Sequence, residues 1–398
     1  MEKKMIINKL EEYRNIYKKN LTESVIPFWY KNSPDWEHGG TYSCLDRDGS
    51  VYDSKKYIWL VGRSAWMFSR LYNEFDKTAN YLDVATLGIN YLQKYAMDGQ
   101  GRYYFSLTQE GKPWFYQRKP YGAVFAMLAY LEYCRATGNE KFRKEAVQLF
   151  WKITEWIDDS TKLGRPSMEG VPPMSNLANI MVLASMAIEL ARVDDDSRYK
   201  EIMKHALEGC KRHFDPALKV LIENVPFNEK VNSRQWPEGR SFNPGHSIEV
   251  AWFILHMVRF IPDKQMLNLA LEVLEGSLNL GWDKEYGGLY YFMDIEGKPT
   301  LQLESNMKLW WPHTEAIYAS VLAFSLTKDP KWIDWLEKVH KYSFEHFVDW
   351  QYGEWFGYCD HHGNVSNLCK GGNYKGFFHV PRALLFSIQE IDKCLKEI

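Results

Sequence analysis

Short segments rich in aromatic residues and glycine recur along the chain, and this repeat constrains the fold more than any other feature. Four are clear: WEHGGTYSCLDRDG from Trp36, GQGRYYFSLTQEGKP from Gly99, WDKEYGGLYYFMDIEGKP from Trp282 and WQYGEWFGYCDHHGN from Trp350. Weaker analogues begin at Thr161 (TKLGRPSMEG) and His213 (HFDPALKVLIENV). Each segment predicts a small β-hairpin, and together they divide the chain into six units of roughly 60 residues.

Pairs of helical patterns separate these hairpins. One pair is YLDVATLGINYLQKYA, residues 81–96, and PYGAVFAMLAYLEYCRAT, residues 120–137. The first member carries charge along one face and the second is almost continuously apolar, as expected of an outer helix and a buried inner helix. We therefore predict an all-α (α/α)6 barrel of six outer–inner helix hairpins, with short β-hairpins in the loops at one rim. Since no Pro-, Gly- or Ser-rich linker divides the chain, a single domain over residues 1–398 is expected.

Charge and composition exclude several classes of function. The formal net charge is −2 with no long run of one sign, so neither nucleic acid nor an anionic membrane is an expected partner. The N-terminal segment MEKKMIINKLEEYRNIYKKN reads as an amphipathic helix rather than a signal peptide, and no apolar run has the roughly 18 residues of a membrane span. A cytoplasmic location is expected. Six cysteines without a CxxC spacing favour free thiols over disulfides or zinc.

Polar residues cluster at the predicted starts of the inner helices, near 57–62, Pro120, Pro173, Pro244, Pro312 and Pro381. His246, His313 and His379 each lie within two residues of one of these prolines, in successive repeats. One histidine near a helix start is usually a cap or a surface residue, but three in register favour a shared cavity. The other side chains expected there are those of Arg63, Tyr121 and Asn176.

Two histidines across a cavity suit proton transfer at carbon. The positive end of a helix dipole should lower the pKa of a histidine and keep it neutral, able to accept a proton from a C–H next to a carbonyl. A second, protonated histidine could reprotonate the opposite face. Arg63 would stabilise the developing oxyanion, and Glu249 and Glu315 would orient the imidazoles or ring hydroxyls. Those two carboxylates are equally well explained as acidic residues favoured at a helix N-terminus.

Several stretches resemble the N-acylglucosamine 2-epimerase family, also called renin-binding protein in mammals. They include KYIWLVGRSAWMFSRLYN, SFNPGHSIEVAWFIL, LESNMKLWWPHTEA, YGEWFGY and KGGNYKGFFHVPR. The resemblance covers nearly the whole chain and implies an (α/α)6 barrel that interconverts N-acetyl-D-glucosamine and N-acetyl-D-mannosamine. By this resemblance His246 and His379 are the catalytic pair and Arg63 binds the reacting end of the sugar. The rest of the pocket would be formed by Tyr121, Asn176, Glu249, His313 and Glu315.

Other activities remain open from the sequence. Cellobiose 2-epimerases and mannose-type aldose–ketose isomerases resemble this family. The disaccharide-acting relatives look to place a histidine one turn after the residue matched by Asn176, where this chain has Ile180. A glycoside hydrolase would use a carboxylate pair such as Glu304 and Glu315. A non-catalytic binding protein would use its outer helices instead of the cavity.

Proton transfer by two histidines requires no cofactor. A metal site is not expected either, since no HExxH motif is present. Relatives that require ATP as an activator leave ATP open as an allosteric ligand. No GxxxxGK[ST] loop is present and STKLGRPSMEG lacks a glycine-rich run, which favours weak or absent nucleotide dependence. The expected partners are a small sugar substrate and a second copy of the chain in a homodimer.

Overall fold

The computed structural model describes residues 2–228 and 230–397, and helices dominate it. In chain order the helices are α1 (Glu2–Asn20), α2 (Ile26–Asn32), α3 (Ile58–Glu74), α4 (Tyr81–Tyr95), α5 (Tyr121–Thr137), α6 (Glu140–Asp158), α7 (Leu177–Ala191), α8 (Ser197–His213), α9 (Pro244–Phe260), α10 (Lys264–Gly281), α11 (Trp310–Thr327), α12 (Lys331–His346) and α13 (His379–Glu397). A π-helical turn, Leu21–Val25, joins α1 to α2. Within the described residues, no helix has the length and apolar character needed to cross a bilayer.

The helices form two concentric layers. The inner layer is α3, α5, α7, α9, α11 and α13, and each of these packs against an outer helix, in order α4, α6, α8, α10, α12 and α1. Helix α11 is buried along nearly its whole length, whereas α12 buries one face, because only the inner helix is covered on both sides. The pairing of α1 with α13 joins the two ends of the chain and closes the ring. The predicted (α/α)6 barrel is confirmed.

Short strands occupy the loops at the rim where the inner helices begin. They are β1 (Cys44–Leu45), β2 (Val51–Asp53), β3 (Lys56–Tyr57), β4 (Ser106–Leu107), β5 (Pro113–Phe115), β6 (Met174–Asn176), β7 (Phe214–Asp215), β8 (Val220–Leu221), β9 (Asn224–Pro226), β10 (Ser241–Phe242), β11 (Met293–Asp294), β12 (Lys308–Leu309), β13 (Tyr358–Cys359) and β14 (Val365–Asn367). All observed pairings are antiparallel. The pairs β3–β4, β6–β9, β10–β11 and β12–β13 link neighbouring units, so they fix the loops relative to one another.

The six predicted hairpins are partly correct. Those from Trp36, Gly99, His213 and Trp350 each provide the first strand of a hairpin and its turn, in β1–β2, β4–β5, β7–β8 and β13–β14. The segment from Thr161 instead forms a 3-10 turn, Ser160–Leu163. In the segment from Trp282, β11 pairs with β10 of the preceding unit. Glycine-rich turns therefore marked the loops correctly, but they did not determine which strand each segment pairs with.

A buried lysine–aspartate pair is repeated in three of these loops. Lys56 binds Asp35, Lys308 binds Asp283 and Lys370 binds Asp349, each with an Nζ–O distance of 2.7 Å and with both partners almost fully buried. Each aspartate also accepts backbone N–H groups of its own turn. Lys56 and Lys308 lie in β3 and β12, the strands that lead into α3 and α11, and Lys370 lies in the segment before α13, so each lysine ties the turn of one loop to the chain that enters an inner helix.

Charged residues close the opposite end of the barrel. The fully buried Arg70 of α3 pairs with Glu74, with Glu132 of α5 and with Glu189 of α7. Its guanidinium also lies 4.8 Å from the centroid of the Trp66 ring. The barrel is consequently open at the rim with the inner-helix N-termini and blocked at the other.

We expect Asp283→Ala to destabilise the fold by about 3 kcal/mol, because it leaves the Lys308 ammonium buried without a carboxylate. The shift of the urea midpoint at unchanged m-value measures this change. Lys298→Ala is the matched control, since it removes only the exposed Lys298–Glu296 pair, and its midpoint should equal that of the wild type. Equal midpoints for all three proteins would contradict a structural role for the buried pair.

Candidate active site

The N-terminal ends of the inner helices surround a cavity with two lobes. Its upper lobe, of about 430 Å³, lies under the loops and includes Glu304, Met307, Trp311 and His379. Its deep lobe, of about 360 Å³, extends along the inner helices and is lined by Tyr121, Val124, Leu128, Asn176, Val182 and Phe253, among others. Arg63, His246 and Glu249 line both lobes and so mark their junction.

His246 stands in the first turn of α9, as the sequence predicts. The Asn243 side chain caps this helix by accepting from the His246 backbone N–H at 2.9 Å, and Pro244 is its first residue. The ring Nδ1 lies 3.0 and 3.1 Å from the two carboxylate oxygens of Glu223. Burial alone would lower the pKa of His246, but the negative charge and hydrogen bond of Glu223 raise it above its ordinary value. The expectation that the helix dipole lowers the pKa of His246 is therefore wrong.

His379, the first residue of α13, has a different environment. Its Nδ1 donates to Glu315 Oε1 at 2.7 Å. That same oxygen accepts from Arg382 Nη2 at 2.7 Å, and the other Glu315 oxygen accepts from Trp252 Nε1 at 2.8 Å. Burial, helped by the positive charges of Arg63 and Arg382, lowers the pKa of His379 well below its ordinary value. A neutral ring that donates from Nδ1 keeps a free lone pair on Nε2.

The two imidazoles share one neighbour, Trp311. Ring centroids of His246 and Trp311 are 5.1 Å apart, and those of His379 and Trp311 are 5.8 Å apart. Gly245 permits this arrangement, because a Cβ at that position would lie 2.4 Å from the indole ring. The indole thus provides a flat aromatic surface next to both histidines, of the kind on which a sugar ring can rest.

Arg63 is held by aromatic rings. Its guanidinium carbon lies 4.3 Å from the Trp59 ring centroid, 4.2 Å from that of Phe125 and 4.6 Å from that of Phe378. Its Nε is buried without a hydrogen-bond partner among the described residues. Burial lowers the pKa of Arg63 to about 9, so the group is still charged at neutral pH. A buried cation with an unused donor at the junction of the lobes is suited to bind an oxygen of a ligand.

Most of the other predicted residues reach the cavity. Tyr121 and Asn176 line the deep lobe, and the Asn176 amide donates to Asn224 Oδ1 at 2.9 Å. Burial raises the pKa of Tyr121 to about 12. Glu249 lines both lobes and accepts from Arg382 at 2.7 Å, whereas Glu315 lies behind His379 and orients its ring.

The placement of His313 in the pocket is wrong. This residue is fully buried, and its Nδ1 bonds the Leu309 carbonyl at 2.6 Å while its Nε2 accepts from the Leu289 N–H at 2.9 Å. Its ring stacks on Tyr342 of the outer helix α12. His313 therefore points away from the cavity and anchors the loop before α11.

Ile180 gives no information about substrate choice. Its side chain is buried against the outer helix α8, where it would contact a Cβ placed at Gly209. The cavity-facing residues of α7 are Ala178, Met181, Val182 and Ser185, a helical i, i+3, i+4, i+7 stripe. The comparison of Ile180 with a histidine of other enzymes therefore concerned a position outside the cavity.

Glu249, Glu315 and His379 also have the donor atoms and the spacing of a metal site. Arg382 already supplies positive charge to both carboxylates, with one nitrogen 2.7 Å from each. This donor set is therefore better described as an ion-pair network that positions His379.

Two residues of this site were not singled out from the sequence, Glu223 and Arg382. Arg382 belongs to the quoted stretch FFHVPR, three residues after His379, a spacing that places it on the same helical face. Glu223 lies in the loop between β8 and β9, and its backbone N–H donates to the carbonyl of Ser241 at 2.9 Å, in the strand β10 that leads into α9. No periodicity in the sequence indicates such a contact.

The fold and the site together define the class as an (α/α)6-barrel enzyme. A solved structure of cellobiose 2-epimerase from Bacillus thermoamylovorans B4167 aligns with a TM-score of 0.81, covering 95% of this chain and 99% of that one at 24% identity, and so shares the fold. Residues 40–383 match the model of the N-acylglucosamine 2-epimerase (GlcNAc 2-epimerase) family. The chain belongs to this family.

Curated relatives agree with that assignment. N-acylglucosamine 2-epimerase of Mus musculus is 36% identical over 405 residues, covering 98% of this chain and 96% of its own length. Cellobiose 2-epimerase of Dictyoglomus turgidum is 24% identical, covering 94% and 97%. The chain is therefore more similar to the mouse enzyme than to the disaccharide epimerase.

We expect Glu223→Gln to lower the pKa of His246, because the variant keeps the shape of the side chain but removes the negative charge that stabilises the imidazolium. NMR titration of the His246 ring measures this pKa. Glu304→Gln is the control, since it removes a carboxylate from the same cavity and should leave the pKa of His246 unchanged. An unchanged His246 pKa in Glu223→Gln would contradict the direct interaction between His246 and Glu223.

Proposed function

We propose that this protein is a cofactor-independent 2-epimerase that interconverts N-acetyl-D-glucosamine and N-acetyl-D-mannosamine. The observation that carries the proposal is the pair His246 and His379, which line one cavity beside Arg63 and have pKa values shifted in opposite directions. Inversion of a carbon centre by proton transfer needs both an acid and a base, and two groups with separated pKa values supply them.

The base in one direction is His379. The sugar ring opens to the aldehyde, which makes the C2 proton weakly acidic because C2 is then next to a carbonyl. The Nε2 lone pair of the neutral His379 accepts this proton, and the electron pair of the C2–H bond moves into an enediol-type system. Glu315 orients the ring by accepting from Nδ1, so the base points at the cavity before substrate binds.

The acid in the same direction is His246. Its imidazolium, stabilised by Glu223, delivers a proton to the opposite face of C2, and the carbonyl re-forms. After this step His246 is neutral and His379 is protonated, so the reverse reaction uses the same two groups with exchanged roles. The inversion step itself needs no cofactor, and proton exchange with water returns both histidines to their starting states before the next turnover in the same direction.

Arg63 stabilises the intermediate. The negative charge that leaves C2 develops on the O1 oxygen, and a buried guanidinium with unused donors interacts more strongly with that oxyanion than with a neutral carbonyl. Tyr121, Asn176 and Glu249 complete the polar contacts to the sugar around the junction of the lobes.

The hydrolase alternative is disfavoured by the environment of Glu315. This carboxylate is buried and already accepts from His379, Arg382 and Trp252, so it has no free oxygen for the chemistry of a glycoside hydrolase. Epimerisation of cellobiose or isomerisation of mannose would use the same histidines. The greater similarity to the mouse N-acylglucosamine 2-epimerase favours the N-acyl sugar over these substrates.

We further propose that residues 1–398 form one catalytic domain, since a continuous apolar core reaches from Leu10 to Cys394. A cytoplasmic homodimer and a weak or absent response to ATP as an allosteric activator complete the proposal. Sedimentation of the purified protein, and activity assays with and without ATP, test these last two points.

We expect His246→Ala and His379→Ala each to lower the epimerisation rate by about 10²–10⁴-fold, because each removes one proton-transfer group. Proton NMR with N-acetyl-D-mannosamine in D2O measures the appearance of C2-deuterated N-acetyl-D-glucosamine. His362→Ala is the matched control: this exposed histidine lies in the β13–β14 turn, and its loss should leave the rate unchanged.

Wild-type protein that forms no C2-deuterated product, with or without ATP, would contradict the proposal. Turnover of cellobiose or mannose in its place would assign the site to one of the alternative substrates. Full activity of either cavity variant would contradict the two-histidine mechanism even if the wild type is active.

We also expect Arg63→Met to reduce kcat by roughly 10²–10³-fold with a smaller change in KM, because Arg63 acts mainly on charge that develops in the transition state. Arg143→Met provides the control, since Arg143 forms partly exposed ion pairs on the outer helix α6. An increase in KM alone for Arg63→Met would show that Arg63 only binds substrate.

A further inference from the structure

The deep lobe of the cavity continues well below the level of the histidines. On three inner helices its lining runs seven residues inward, from Tyr121 to Leu128, from Ala178 to Ser185 and from His246 to Phe253. At 1.5 Å per residue this is a depth of about 10 Å. The upper lobe has no lining residues at this depth, so the two lobes differ in shape.

The deep lobe is polar at the level of His246 and becomes apolar further along the inner helices. Below the level of Glu249, the deep lobe is lined by Leu128, Val182 and Phe253, with Ser185 as a small hydroxyl at the bottom. Beneath it lie Trp66, which packs against Phe378 and Phe386, and the Arg70 cluster. The lower part of the deep lobe is therefore an apolar pocket that is closed at its far end, and we call it the acyl pocket.

Only one group of the substrate matches such a pocket. The C3–C6 arm of an open-chain sugar carries hydroxyl groups that would lose hydrogen bonds to water on an apolar surface. The substituent on N2 ends in hydrocarbon. We propose that the N-acyl group enters the acyl pocket, while the hydroxylated arm lies in the upper lobe near Glu304; this inference rests on the proposed function.

The depth of the pocket has a consequence for substrate range. A trans amide separates its flanking carbons by 3.8 Å, so an acetyl methyl group reaches less than half of the roughly 10 Å depth. About 6 Å of apolar space remains below it. The enzyme should therefore accept N-propanoyl and N-butanoyl sugars, and each added methylene that is buried should lower KM by up to about fourfold.

The test measures kcat/KM for N-acetyl-, N-propanoyl-, N-butanoyl- and N-pentanoyl-D-mannosamine. For the wild type we expect kcat/KM to stay level or rise from acetyl to butanoyl. Ser185→Leu fills the bottom of the pocket and should lower the butanoyl-to-acetyl ratio of kcat/KM at least tenfold. Val182→Ala widens the pocket and should raise the pentanoyl-to-acetyl ratio, which keeps the test decisive if Ser185→Leu fails to fold.

Met307→Leu is the matched control in the upper lobe and should leave both ratios unchanged, whatever it does to the rates. A wild-type kcat/KM that falls tenfold or more with each added methylene, and ratios that neither variant changes, would overturn the acyl pocket while leaving the epimerase intact. Absence of turnover for every N-acyl sugar would instead contradict the proposed function itself.

Discussion

Arg382 connects three inner helices at the level of the chemistry, and the geometry of the site depends on it. One of its nitrogens lies 2.7 Å from Glu249 of α9 and 2.7 Å from Glu315 of α11, while Arg382 itself lies on α13. The guanidinium holds the two buried carboxylates at fixed positions, one on each helix. Glu315 is thereby placed to accept the Nδ1–H of His379.

The same network explains why the two histidines differ. Glu315 shares its charge among Arg382, Trp252 and His379, and nearby cations disfavour a proton on Nε2 of His379. Glu223 approaches His246 Nδ1 with both oxygens, at 3.0 and 3.1 Å, so its charge acts directly on the imidazole. Each histidine has a carboxylate partner. The other neighbours of that carboxylate determine how strongly it favours a proton on the histidine. Arg63 lines both lobes, and its Nε has no hydrogen-bond partner among the described residues.

The barrel and the rim that holds the site could be predicted from the sequence because the fold is a repeat of helix pairs. Apolar inner helices alternate with amphipathic outer ones, so the polar residues at the start of each inner helix had to meet at one rim. Helix starts do not determine where a side chain points, and His313 turned back to the Leu309 carbonyl instead of the cavity. Glu223 was missed because a backbone contact with Ser241, distant in the sequence, brings it to His246, and no local pattern encodes such a contact. The pKa of His246 was predicted in the wrong direction because a helix dipole, worth about 0.3–1 kcal/mol at an exposed terminus, is outweighed by a carboxylate in direct contact.

The most direct test of the central claim asks whether a variant with only one of the two histidines exchanges the C2 proton of the sugar with solvent without inverting C2. His246→Asn and His379→Asn are each incubated in D2O with N-acetyl-D-glucosamine and, separately, with N-acetyl-D-mannosamine, and deuterium at C2 of the unchanged sugar is followed by NMR. If the histidines face opposite sides of C2, each variant exchanges only the epimer whose C2–H faces the remaining histidine, and the two variants select opposite epimers. Exchange of the same epimer by both variants would contradict the account.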